Sequence, residues 1–169
     1  AAATAAEGLG IGSSSNSRSG TGIVLDNATY WVLDSAPNNG ALIAGAYQGT
    51  GTSLNGSFSS SDAKDFNLEA QSIDDATVSA SYAAKQSFNG AVTYPGLNPS
   101  VTFTSTYSPA YDQIPSLSTI AGTYTGTMAV IGATVSAPIG ITPAGAISGT
   151  GATGCPSPGT APPPTKASG

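Results

Sequence analysis

The side chains here with the chemistry for catalysis or cation binding crowd between positions 62 and 75. Asp62, Asp65 and Glu69 are followed closely by the pair Asp74-Asp75. Ser59-Ser60-Ser61-Asp62 ahead of 63–69 is compatible with one or two capped helical turns, which would put these acids on one short helix. Such a cluster could hold a cation or supply a carboxylate pair for acid–base work. A calcium loop, however, alternates oxygen ligands around a glycine turn, and this stretch does not. A glycosidase pair needs carboxylates roughly 5 to 9 Å apart in a cleft, which spacing alone does not set. A solvated acidic face is the commoner meaning of such a charge run. Ser61-Asp62-Ala63-Lys64 has the Ser-x-x-Lys spacing of a serine–lysine dyad, with Lys85 as a second candidate base. Four-residue patterns of this kind arise often by chance. There is no histidine and no Gly-x-Ser-x-Gly turn, so a Ser-His-Asp triad cannot form. No catalytic, cofactor-binding or metal-ligating residue is assigned on these grounds, and the chain reads as a non-enzyme.

Aromatic residues offer the other kind of site. Tyr30, Trp31, Tyr47, Tyr82, Tyr94, Tyr107 and Tyr124 could line a sugar- or lipid-binding cavity, though aromatics at strand spacing are more often plain core. The glycine-rich runs 8–12 and 45–51 lack the lysine and long helix of a phosphate cradle. Asn27-Ala28-Thr29 and Asn55-Gly56-Ser57 match the N-glycosylation pattern, in turns where asparagine has its own structural use.

Composition narrows the class. Only 8% of the residues are charged, against about 25% in an ordinary soluble domain, so serine, threonine and asparagine must cover much of the surface. Such surfaces are common in extracellular β proteins. Nine acids against four bases argue against nucleic acid or an anionic membrane as partner. No stretch reaches the roughly 20 apolar residues that a membrane-spanning helix needs. No charged and apolar leader opens the chain, so any signal peptide is taken as already removed. Cys155 is the single cysteine, which rules out a disulfide within these 169 residues and leaves a free thiol, an interchain pair or a partner elsewhere.

The elements that would position these residues are short strands. Gly122-Thr123-Tyr124-Thr125-Gly126 and Gly45-Ala46-Tyr47-Gln48-Gly49 each bracket a tyrosine with glycines, and Gly8-Leu9-Gly10-Ile11-Gly12 keeps the outer pair. Each reads as a strand with its central residue turned inward. Residues 13–22 read as a polar connection. Ile23-Val24-Leu25 and Tyr30-Trp31-Val32-Leu33 flank Asp26-Asn27 as a hairpin, with Trp31 in the core. Pro37-Asn38-Asn39-Gly40 marks a turn, and Asn55-Gly56 a second hairpin. Val78, Ala80 and Tyr82 alternate with Ser79 and Ser81, and Thr102, Thr104 and Thr106 form one polar face. After a proline-bearing stretch, 128–131, 135–141 and 146–149 around Gly132 and Pro143-Ala144-Gly145 suggest a meander, followed by a tail containing Pro162-Pro163-Pro164.

Ser61-x-Ala63-Lys64-Asp65-Phe66, Tyr111-Asp112-Gln113, Ala121-Gly122-Thr123-Tyr124-Thr125-Gly126, Gly145-Ala146-Ile147-Ser148-Gly149 and Gly154-Cys155 together resemble a family of secreted lipoproteins of Gram-negative bacteria. The resemblance implies a β-rich, exported protein and carries no known reaction. Members resembling it place an aromatic where this chain has Gly10, and continue with further strands and a second cysteine. It therefore implies a chain that is incomplete at its C-terminal end.

The expectation is an all-β, mostly antiparallel barrel or sandwich of about ten short strands with meander topology. Its divisions are an extension (1–7), a main β domain (8–108), a linker (109–118), a second meander (119–155) and a proline-rich tail (156–169). The expected function is that of a non-catalytic extracellular or outer-cell-surface structural protein. It would self-associate through strand edges or termini into a filament or surface layer. The alternative is a β-barrel that binds a lipid or sugar.

Overall fold

The computed structural model of the chain describes residues 6–96, 100–130, 133–151, 154, 156 and 158–162. The chain divides into two compact units, Ala1–Asp112 and Gln113–Gly169, and the boundary falls within 109–118. Among the described residues no helix is long and apolar enough to cross a membrane.

Among the described residues, nine strands build the first unit: β1 (Gly8–Ser14), β2 (Ser19–Val24), β3 (Thr29–Ala36), β4 (Asn39–Thr50), β5 (Thr52–Leu54), β6 (Ser57–Asn67), β7 (Ser72–Ala83), β8 (Ser87–Thr93) and β9 (Val101–Tyr107). Antiparallel pairing runs from β1 through β4, crosses to β6 and continues to β9, which returns to β1. The result is a closed eight-stranded meander barrel, with β5 attached to β6 as a short hairpin arm. The choice between barrel and sandwich is thus decided by two pairings, β4 with β6 and β9 with β1.

Period-two alternation explains which side chains fill the interior. In β9, Thr102, Thr104 and Thr106 are exposed while Val101, Phe103, Ser105 and Tyr107 are half-buried. In β7, Ala76 and Val78 are buried between exposed Thr77 and Ser79. The core is a chain of rings: Tyr30 meets Phe58 edge-on at 5.7 Å, Phe58 meets Phe88 edge-on at 5.1 Å, and Phe88 stacks on Phe103 at 5.8 Å. Glycines make room for them, since a Cβ at Gly49 would lie 2.6 Å from the Tyr30 hydroxyl and one at Gly51 would lie 2.0 Å from the Phe58 ring. In 45–49 the bracketing glycines and Tyr47 therefore share the inward face, as the spacing suggests.

Three expectations about the first unit are corrected. Trp31 is 46% exposed whereas its neighbour Tyr30 is 4% exposed. A strand turns only one of two adjacent residues inward, and Tyr30 takes that place by donating its hydroxyl to Ser60 Oγ at 3.0 Å. The segment 63–69 is not helical: β6 runs to Asn67, with a bulge between Ser60 and Ala63 that keeps Ala63 and Asp65 facing inward. The polar stretch 13–22 holds the end of β1, a turn and the start of β2 rather than a plain connection. Asn55 and Gly56 take the positive φ values (49° and 81°) that a tight hairpin turn requires.

Among the described residues, the second unit is a four-stranded antiparallel meander, β10 (Gly122–Val130), β11 (Ala133–Ile141), β12 (Ala146–Gly149) and β13 (Gly159–Thr160), preceded by one helical turn, α1 (Leu117–Ile120). Tyr124, expected to face inward, is 48% exposed and donates its hydroxyl to the Ile120 carbonyl at 2.7 Å. β10 pairs only with β11 among the described residues. Cys155, Gly132 and Pro163-Pro164 lie outside the described residues.

Candidate functional site

The β1–β2, β3–β4 and β6–β7 connections and the facing ends of β8 and β9 lie at one end of the barrel. There the inward face changes from rings to polar groups. Asp34 continues the inward row of Tyr30 and Val32, and Asp65 continues that of Phe58, Ser60 and Ala63. Tyr47 lies opposite Asp65 in the β4–β6 register. A cavity of about 470 Å³ opens among Arg18, Asp34, Tyr47, Asp65, Asp74 and Tyr94.

Hydrogen bonds fix these groups. Tyr94 donates its hydroxyl to Asp65 Oδ2 at 2.8 Å, and Tyr47 donates to Tyr94 over the same distance. Arg18 reaches in from the β1–β2 turn, donating to the Ser35 carbonyl at 2.9 Å and to Glu69 at 2.5 Å. Its guanidinium lies 3.5 Å from Asp34 Oδ2. Asp34 Oδ1 is buried against Gly45 with no hydrogen-bond partner among the described residues, a costly state for a carboxylate oxygen.

Burial raises the pKa of both acids above the ordinary aspartate range. For Asp34 the nearby Arg18 opposes this and Asp65 adds to it; for Asp65 the Tyr94 hydrogen bond opposes it. Burial likewise pushes Tyr47 up to about 12 and raises Tyr94. An acid whose folded pKa is raised contributes stability that is present below the unfolded pKa and lost as pH rises through the folded one. Asp65→Asn is therefore expected to gain stability relative to the parent protein as pH rises from the ordinary aspartate range toward neutrality. Parallel denaturant titrations across that range check the slope. A difference independent of pH would show that Asp65 is not held in a desolvated site.

The acids grouped in sequence are scattered in space. Asp62 accepts from the Thr50 amide and Ser60 Oγ outside the barrel, Asp74 accepts from Ser72 Oγ, and Asp75 pairs with Lys64 across β6 and β7. Only Asp65, Asp74 and Asp75 reach the cavity, and Glu69 touches it through Arg18. Among the described residues no three acids, cysteines or histidines are placed to hold a metal ion. With Lys64 engaged by Asp75 and Lys85 by Asp112, the serine–lysine reading gains no support. Of the seven aromatics, Tyr47 and Tyr94 line the mouth, Tyr30, Tyr82 and Tyr107 line the interior, and Trp31 and Tyr124 are exposed. Asn27 sits in the β2–β3 turn accepting from the Thr29 amide, and Asn55 in the β5–β6 turn.

Sequence reading passed over Arg18 and Asp34. Asp34 had a signal: it shares the strand phase of Tyr30 and Val32, so a charged residue was due to point inward. Arg18, inside a serine- and asparagine-rich turn, had none. No family model, curated protein or solved structure matches the chain.

Proposed function

We propose that the first unit is a binding protein that takes a small organic molecule into the polar mouth of its barrel. The observation that carries this reading is the 470 Å³ cavity, walled by inward-facing carboxylates and tyrosines that the fold holds at some cost. Its size suits a ligand site, and the mouth of a barrel is a frequent place for one. The low charge and the serine- and threonine-rich outer faces of β7 and β9 support display outside the cell, in keeping with the resemblance to secreted lipoproteins. A thermal-shift screen of amines, sugars and fatty acids is expected to find a stabilising compound. Asp74→Trp, at an exposed position on the rim, is expected to abolish the shift. Failure of every class to stabilise the parent chain contradicts the reading.

Self-association is the second reading. Barrel closure pairs both sides of the eight ring strands, so support for edge addition comes from the second unit. There β10 has one unpaired side among the described residues and no charged residue along its length. Light scattering that shows only monomer at high concentration sets it aside.

A further inference from the structure

Resting on the reading that the mouth binds a small molecule, we propose that its ligand is a primary amine bearing an apolar group of about six carbons, because the interior offers a benzene-sized space behind the acids. The ammonium is held at Asp34 and Asp65, and the apolar group enters the barrel.

Two observations meet here. The first is a second cavity, of about 160 Å³, inside the barrel. Asn16, Arg18, Asp34, Tyr47 and Val101 line both cavities, so the two are adjacent and these side chains stand between them. An apolar cavity of about 150 Å³ accommodates benzene. Its lining combines the rings of Phe58, Phe88 and Phe103 with inward glycines of β1 and β2. Gly12 is required by close strand approach, for its Cβ would lie 1.9 Å from the Thr104 carbonyl oxygen. Gly20 is not: a Cβ there meets nothing closer than 3.8 Å, and its backbone is of a kind any residue adopts. The missing side chain at Gly20 leaves space that strand packing does not demand.

The second observation is the charge of the mouth. Asp34, Asp65 and Asp74 line it against the single lining base Arg18, while Asp75, also at the rim, is paired with Lys64. Arg18 is already committed to Glu69, Asp34 and the Ser35 carbonyl. The excess of carboxylates over bases in the mouth attracts an ammonium and repels a carboxylate.

Calorimetry on the full 169-residue chain with hexylamine, hexanol, hexanoate and methylamine tests this. Hexylamine is expected to bind at least about tenfold more tightly than hexanol or hexanoate, the worth of one charge-assisted hydrogen bond, and at least about tenfold more tightly than methylamine through burial of its added methylenes. Asp34→Asn is expected to lower hexylamine affinity about tenfold and leave hexanol unchanged. Gly20→Val, checked for an unaltered melting temperature, is expected to erase the advantage of hexylamine over methylamine. Hexanol or hexanoate binding as tightly as hexylamine overturns the amine assignment while barrel binding stands. Hexylamine binding that neither variant alters overturns the placement. No binding by any probe overturns the amine assignment; the function reading falls with it only if the wider screen of sugars and fatty acids is also silent.

Discussion

Gly12→Ala is expected to cost more than about 3 kcal/mol, a large part of the stability of an ordinary domain. The added methyl would lie 1.9 Å from the Thr104 carbonyl oxygen and 2.7 Å from Ser105 Cα, both backbone atoms of β9. Gly12 pairs with Ser105 in the register that joins β1 to β9, one of the two pairings that close the ring. A flexible side chain could swing away from the methyl, but a paired strand cannot retreat without giving up ladder hydrogen bonds. Gly126→Ala is the matched control, since a Cβ there meets nothing within 4 Å; it should stay within about 0.5 kcal/mol of the parent. Urea denaturation followed by circular dichroism measures both. Equal midpoints would mean that β1 and β9 are not in close register.

Phe58→Ala is expected to cost about 3 to 5 kcal/mol, the range for a large buried aromatic. Phe58 is 2% exposed and joins Tyr30 to Phe88 in the ring chain, so its loss leaves a void that neither neighbour fills without abandoning its own edge contact. Trp31→Ala is expected to cost at most about 1 kcal/mol, because the larger ring lies on the outer wall. By residue size alone the order would be reversed. Denaturant midpoints for the two variants decide it, and a Trp31 effect equal to that of Phe58 would contradict the strand phase of β3.

That contrast shows what the sequence could convey. Strands were legible wherever alternation was clean, as in Thr102, Thr104 and Thr106, and the Asn-Gly hairpin was legible because few residues tolerate positive φ. Phase was harder in Tyr30-Trp31-Val32-Leu33, where every residue is apolar and only the pairing partner reveals which face is inside. The apparent capped turn at 59–69 failed for another reason. Serine and aspartate favour caps locally, but here they occupy a bulged strand whose ladder to β7 and β4 outweighs that preference. Closure was legible only as one of two options, barrel or sandwich, because β4 meets β6 only after skipping β5. The mouth was legible in part. Asp65 stood out for its charge, whereas its meeting with Asp34, Tyr47 and Tyr94 depends on that closure.

The central claim, that the barrel admits a ligand through its polar mouth, is tested most directly by nuclear Overhauser contacts between hexylamine and the full-length chain. The expected result is contact from the alkyl protons to Val32 and Phe103 inside the barrel. Contacts confined to Trp31 and Leu33 on the outer wall would contradict it.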